Sequence, residues 1–128
     1  MSNTTHAQEV LSTLRRQQFY LVEMAMITPV QDPLSALAPY LEEHLAWLIE
    51  RENNGTLFLA GTLGDETGWD GSGLAVVRAE SRAAAEADAQ TEPFCRAGIR
   101  KNSVRGWQLN EGNITLRLRL FDDSFEIA

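Results

Sequence analysis

The sequence has 128 residues, of which 44% are hydrophobic, and this composition suffices for the core of one domain. A formal net charge of -7 argues against nucleic acid or an anionic membrane as a partner, because both bind clustered basic surfaces. One cysteine, Cys95, permits no internal disulfide, and neither a signal peptide nor an apolar run of about 18 residues is present, so we expect a cytoplasmic protein.

The N-terminal segment, residues 1–18, is mostly polar. Val10, Leu11 and Leu14 recur at helical spacing, which is typical either of a short helix or of a loosely ordered arm. We therefore predict that residues 19–128 form the folded domain and that the arm lies outside it.

The domain is predicted to begin with a strand at residues 19–28, because this stretch is almost wholly apolar and has no turn residue. We expect both faces of this strand to be buried. Glu23 is the exception, since a carboxylate among apolar neighbours needs a partner or a shifted pKa. It is either a second acid/base group in a substrate-binding cavity or an edge residue that reaches water.

A helix with a histidine follows the loop between Pro29 and Pro33. Asp32 or Ser35 is predicted to cap its start, and the run 53–55, Asn-Asn-Gly, is predicted to end it. Four leucines recur at helical spacing and form one apolar face: Leu37, Leu41, Leu45 and Leu48. His44 lies on the edge of this face.

Residues 56–60 predict the second strand, and Gly61 lets the chain leave the sheet or a ligand approach it. The glycine-rich stretch 64–73 predicts an irregular connection. It is no phosphate-binding loop, because the motif spacing is absent and a strand, not a helix, follows. Trp69 within it is either a lid over a pocket or an apolar plug.

The second half repeats the alternation of strand and helix. A strand is predicted at residues 74–79, followed by an alanine-rich helix that Ser81 caps and that Pro93 ends. Glu92 is thereby held at a bend. A fourth strand is expected at residues 100–109, and beyond a turn the alternating segment 114–120 predicts an added strand with one buried face.

Arg105 and Trp107 share one face of the fourth predicted strand. They either hold an anionic aromatic substrate by charge-assisted hydrogen bonds and stacking, or serve as an ion-pair partner and as filling of a dimer seam. The only histidines are His6 and His44, and His6 lies in the arm, so a zinc site is not expected.

This order of elements predicts an α+β fold, a ferredoxin-like βαββαβ layer with an extra C-terminal strand and helices on one sheet face. The other face needs a cover, and a second copy of the same sheet would provide it. The sequence therefore predicts a homodimer, a dimeric α+β barrel.

The residues also resemble a known family, the YCII-related dimeric α+β barrel proteins, over roughly residues 19–112. The features that carry the resemblance are, in chain order, His44, Gly55, the pair Ala60-Gly61, the run Glu92-Pro93-Phe94, Ala97-Gly98-Ile99 and Val104-Arg105-Gly106-Trp107. The resemblance implies a small-molecule cavity with a histidine and a carboxylate proposed as a catalytic dyad. The family resembles muconolactone isomerases in fold, and one relative is a dehydrochlorinase of a chlorinated hydroxyhydroquinone.

Two positions depart from the family pattern. Glu92 stands where the family has aspartate, and Cys95 stands where relatives often have histidine. Glu92 therefore reaches one methylene further, which either preserves or spoils its hydrogen bond to the histidine.

Two hypotheses about function follow. The first is a cofactor-independent isomerase or lyase that moves a proton on a hydroxylated or chlorinated aromatic or a lactone, with His44 as base and Glu92 orienting it. Glu23, Gly61, Trp69, Arg105 and Trp107 are its predicted substrate-binding residues. The second is a non-catalytic dimeric module that binds a small ligand or a protein.

Overall fold

The computed structural model describes residues 3–127. Contacts divide the chain into two compact units, the larger formed by Gln18–Gln108 and the smaller by the described parts of Met1–Gln17 and Leu109–Ala128. The predicted segments were 1–18 and 19–128, and their end residues 1, 2 and 128 lie outside the described residues. The boundary between the two segments stays a prediction. No helix within residues 3–127 is both long and apolar enough to cross a membrane.

The elements, in chain order, are α1 Asn3–Leu11, β1 Gln17–Met26, α2 Pro33–Asn53, β2 Leu57–Asp65, β3 Gly68–Val77, α3 Arg82–Ala89, α4 Pro93–Arg96, β4 Arg100–Leu109, β5 Leu116–Arg119 and β6 Ser124–Ile127. In the larger unit the strands form one sheet in the order β2-β3-β1-β4, and β3 is antiparallel to both β1 and β2. This order is that of a ferredoxin-like layer, so the predicted α+β fold class is confirmed.

The sheet has two different faces. The inner face packs against helix α3, and its core consists of Val22, Met24, Ala75, Val77 and Val104 with Ala85 and Ala89. The outer face carries the alternate residues, among them Leu21, Glu23 and Leu59. Within the chain, Leu21 and Glu23 are half-buried and Ala25 is exposed. The outer face of the first strand is thus only partly covered within the single chain, and its burial by a second copy stays a prediction.

The glycine-rich stretch 64–73 is a hairpin and not the predicted irregular connection. Strands β2 and β3 continue through it and leave only residues 66 and 67 as the turn. An added Cβ at Gly64 would lie 2.4 Å from the Gly68 carbonyl oxygen, so glycine is required for the strands to approach this closely. The glycines fit the hairpin, where the sequence pattern suggested that they would interrupt it.

The predicted helix ends are confirmed. The Asp32 carboxylate accepts a hydrogen bond from the Ser35 amide at the start of α2, and Gly55 follows the end of that helix with φ +83°. Ser81 caps α3 by accepting from the Ala84 amide. Glu92, in contrast, does not merely lie at a bend: it caps the short helix α4.

The smaller unit contains α1 and the antiparallel pair β5–β6. The predicted added strand pairs with β6 in a separate two-stranded sheet, and this partner strand had no counterpart in the sequence prediction. Its predicted buried face is wrong, because every apolar residue of the alternating segment is exposed: Ile114, Leu116, Leu118 and Leu120. Alternation reports which residues share a face but not whether anything covers it.

Candidate functional site

One stripe of helix α2 fastens it to the segment 88–92. His44, Trp47 and Arg51 follow one another at intervals of three and four residues and so lie on the same side of the helix. Each meets a partner further along the chain, in reverse order: the ring of His44 meets Glu92, the Trp47 indole donates to the Thr91 hydroxyl at 2.9 Å, and Arg51 binds Asp88 through two hydrogen bonds of 2.8 and 2.6 Å.

The predicted position of His44 at the edge of the apolar helix face needs correction. His44 is 8% exposed and lies on the buried side with Leu37 and Trp47, whereas Leu45 is 48% exposed. The polar contacts with residues 88–92 turn this stripe inward. Hydrophobic spacing alone could not indicate that turn, because it weighs leucine above histidine.

Glu92 is fully buried, and its carboxylate is held by three N–H donors and by the His44 ring. Its Oε1 accepts from the Phe94 amide at 3.0 Å and lies 2.5 Å from the His44 Nδ1. Its Oε2 accepts from the Cys95 amide at 2.8 Å and, more weakly, from the Asn102 side chain at 3.4 Å. Two of these donors belong to the backbone of α4, so the orientation of the carboxylate is fixed by the helix that it caps.

These contacts decide the charge of Glu92. Burial by itself would raise the pKa of the carboxyl, since it disfavours the charged form. The hydrogen bonds from His44 and from the amides of Phe94 and Cys95 together outweigh burial and hold the pKa of Glu92 below its ordinary value. Glu92 is thus an anion at neutral pH and can stabilise a positive charge on the neighbouring imidazole.

The His44 ring is fixed from two directions. Glu92 holds Nδ1, and the Phe94 ring stacks on the imidazole with centroids 4.3 Å apart. Because Nδ1 is engaged, Nε2 is the nitrogen left for chemistry, and His44 lies in the wall of a cavity. The arrangement can take up and return a proton.

The cavity lies between α2, α4 and the inner face of the sheet and has a volume of about 210 Å³. It is mainly apolar, and its wall includes Leu41, Leu45, Leu48, Met24, Ala60 and Phe94. A few polar residues join that wall, namely His44, Thr62 and Arg100. An apolar cleft with a small number of convergent polar groups is the usual form of a small-molecule site.

Arg100 was missed by the sequence analysis. It is the first residue of β4 and only 3% exposed; its Nε donates to the Gly71 carbonyl at 2.9 Å, and its guanidinium lies over the Phe94 ring. Burial lowers the pKa of Arg100, an effect that the Glu92 and Asp70 carboxylates oppose, and the group stays charged at neutral pH. Two adjacent charged residues, Arg100 and Lys101, begin this strand, and neither carries a signal of which one points inward.

The structure separates the other predicted site residues. Gly61 and Trp69 line the cavity with His44, and the Trp69 indole donates to the Ser72 carbonyl at 2.7 Å. Glu23, Arg105 and Trp107 lie elsewhere, on the outer face: Glu23 forms an ion pair with Arg105, and Trp107 packs against Phe19. Two of the five predicted substrate-binding residues therefore share the cavity, and three do not.

Other groups near the site contribute less. The Cys95 thiol contacts the Gln90 side chain at 3.4 Å, and Cys95 is not part of the cavity wall. Cys95 binds Glu92 through its backbone amide and not through its sulfur. No cluster of three or more His, Cys, Asp or Glu side chains suited to a metal occurs within the described part of the chain.

Comparisons with known proteins agree with this architecture. The sequence matches the YCII-related domain over residues 22–108. Among solved structures, it is similar to the 5-chloro-2-hydroxyhydroquinone dehydrochlorinase of Burkholderia phenoliruptrix AC1100 in complex with 2,5-dihydroxybenzoquinone. The TM-score is 0.55 at 22% identity, and the match covers 70% of this chain and 92% of that chain. No curated protein matches the sequence.

Proposed function

Because the chain belongs to the YCII-related family and places a carboxylate-bound histidine in a small cavity, we propose that it is a cofactor-independent enzyme of the isomerase or lyase type. His44 is the base and Glu92 its positioning residue. The observation that carries this proposal is the 2.5 Å contact between His44 Nδ1 and Glu92 Oε1, which leaves Nε2 as the nitrogen for the cavity.

The chemistry follows from the two nitrogens. Nε2 takes a proton from a carbon next to a substrate carbonyl, the C–H electron pair forms a carbon–carbon double bond, and the carbonyl π pair moves to oxygen as an enolate. Return of the proton at another carbon of the conjugated enolate gives an isomer. In elimination the carbonyl re-forms, the carbon electron pair makes the new double bond as the adjacent C–Cl bond breaks, chloride leaves, and the imidazolium releases its proton to water. Glu92 stabilises the imidazolium that exists between the two steps.

Glu92, which stands where the family has aspartate, can still position His44. The longer side chain reaches His44 while both carboxylate oxygens also accept amide hydrogen bonds. Hydrogen-bonded heavy atoms lie about 2.6–3.2 Å apart, and the contact of 2.5 Å between His44 and Glu92 does not exceed this reach. The additional methylene is accommodated because the carboxylate folds back to cap α4.

The proposed substrates are hydroxylated or chlorinated aromatics or lactones. The similar dehydrochlorinase carries such a compound in its name and was solved with 2,5-dihydroxybenzoquinone. The cavity of about 210 Å³ supports a ligand of this size, because a cavity of about 150 Å³ already holds benzene.

Homodimerisation and a cytoplasmic location belong to the same proposal. The dimer is supported by the outer sheet face, where Leu59 is 54% and Trp107 is 37% exposed. A second copy of the sheet would remove this apolar surface from water. The oligomeric state follows directly from sedimentation of the full chain.

Proton exchange tests the proposed activity. A panel of hydroxyquinones, chlorinated hydroquinones and unsaturated lactones is incubated with the protein in D₂O, and proton NMR follows the loss of C–H signals and the migration of double bonds. We expect His44→Asn to lower the enzymatic rate by roughly 10²- to 10⁴-fold. His6→Asn is the matched control, because His6 is exposed and lies in the smaller unit.

Two results would count against the enzyme. An exchange rate that His44→Asn leaves unchanged would remove the base from the mechanism. Ligands that bind in the cavity without any exchange would favour the non-catalytic binding module.

A further inference from the structure

Arg100 is a buried cation that no described carboxylate contacts directly, because the charges of Glu92 and Asp70 act on it only from beyond ion-pair distance. Its Nη1 has only the Met24 sulfur at 3.9 Å, and no ion pair within residues 3–127 involves its guanidinium. A buried charge is costly unless a counter-charge and hydrogen bonds compensate it. Most of its five N–H donors are therefore available to an acceptor that enters the cavity.

The space beside this guanidinium is kept open by a glycine. A Cβ added at Gly73 would lie 3.6 Å from Arg100 Nη1 and 3.2 Å from the Gly61 carbonyl oxygen. The Arg100 Cζ lies over the face of the Phe94 ring, 4.6 Å from its centroid. Because the guanidinium N–H groups lie in its own plane, an incoming group meets Arg100 at the edge of that plane.

The chemistry of those donors defines the ligand. A planar guanidinium matches an anionic oxygen group with paired, charge-assisted hydrogen bonds. The apolar wall strengthens this attraction because it lowers the local dielectric. A neutral carbonyl or amide gains less from the same contact.

We propose that Arg100 anchors the substrate, and that the cavity takes a planar, single-ring ligand whose oxygen carries negative charge, as a phenolate, an enolate or a carboxylate. This inference rests on the proposed function, because it assigns the same cavity as the substrate site. Arg100 holds the charged oxygen while His44 meets the C–H bond. When the proton leaves, the electron pair delocalises onto an oxygen that the guanidinium already stabilises.

Binding without turnover tests the anchor. Two pairs of isosteric probes are titrated into the ¹⁵N-labelled full chain: benzoate against benzamide, and ionised 4-nitrophenol against 4-nitroaniline. The Trp69 indole and Arg100 Nε–H resonances report occupancy of the cavity. We expect the anion of at least one pair to bind roughly 10- to 100-fold more tightly than its neutral partner, and the pair that shows the preference identifies a carboxylate or a phenolate. Equal affinities within both pairs would overturn the proposal.

Variants locate the preference. Arg100→Gln is expected to abolish it, and Arg100→Lys to retain only part of it, because lysine keeps the charge but not the planar fork. Arg82→Gln removes one exposed positive charge and is expected to change nothing. If Arg100→Gln does not fold, the two isosteric pairs titrated into the unaltered protein still show whether the cavity prefers an anion.

The same titration in His44→Asn separates this inference from the proposed function. The preference for anions is expected to persist there, and its loss would assign the anion to His44 and overturn the role of Arg100. An anion preference without any proton exchange would leave the anchor standing and remove the enzyme. If the anionic hydroxyquinones and the neutral lactones of the D₂O panel exchanged at equal rates, the enzyme would stand and the anchor would be removed.

Discussion

The two faces of the four-stranded sheet hold their carboxylates in different ways. On the inner side, Glu92 is fully buried and bonded to an imidazole, two backbone amides and one side-chain amide. On the outer side, the Glu23 side chain is 39% exposed and pairs with Arg105, whose side chain is 71% exposed. An ion pair in water contributes little, whereas a buried anion with fixed donors holds its neighbour in one geometry. Only the inner arrangement suits proton transfer.

Removal of Glu92 should lower the stability of the fold far more than removal of Glu23. Glu92→Ala should lower the free energy of unfolding by roughly 3–5 kcal/mol, because it leaves buried donors without an acceptor. Glu23→Ala should lower it by about 1 kcal/mol or less. Urea unfolding followed by tryptophan fluorescence measures both, since Trp47, Trp69 and Trp107 all lie in the larger unit. Equal losses would contradict the difference between the faces.

The pH dependence of stability isolates the charge of Glu92. Its pKa in the folded chain lies below the ordinary 4.5, so the charged carboxylate contributes fully above about pH 4.5 and this contribution is lost as the pH falls through the folded pKa. We expect the unaltered protein to lose stability below pH 4.5 more steeply than Glu92→Gln. Urea titrations at successive pH values test this, and parallel curves for the two proteins would refute it.

A smaller effect is expected at the far end of the same helical stripe. Asp88→Asn should cost about 1 kcal/mol, because it removes the carboxylate that Arg51 binds through two hydrogen bonds. The exposed pair between Arg82 and Glu86 offers the control, since Glu86→Gln should change stability by less than about 0.5 kcal/mol. Thermal unfolding of the two variants side by side compares them. An indistinguishable pair of melting temperatures would mean that Arg51 does not fasten α2.

Local signals in the sequence predicted much of this fold. Asp32 and Ser81 cap the helices as expected, and β4 spans Arg100–Leu109 as the pattern of residues indicated. Caps and strand ends depend on neighbouring residues, and such short-range chemistry is visible in a single chain. His44 and Glu92, which the family resemblance had paired, lie 48 positions apart in sequence and meet in the structure.

Non-local packing decided what could not be predicted. The inward position of Arg100 depends on Gly71 and Gly73 of a different strand, which supply an acceptor and free space. Arg105, which the residue pattern had favoured as the cation that binds the substrate, lies five residues further along the same strand and on its other face. Whether an alternating strand is covered, as at Leu116 and Leu118, likewise depends on what packs against it.

We propose above all that Glu92 leaves the Nε2 of His44 free to act as a base. The most direct test is ¹⁵N NMR of the imidazole nitrogens in histidine-labelled protein, at a pH where the ring is neutral, with His6→Asn used to assign the signals. We expect a proton on Nδ1, shared with Glu92, and a bare Nε2. A proton on Nε2 with Nδ1 bare would contradict it, because the nitrogen left for the cavity could then no longer accept a proton.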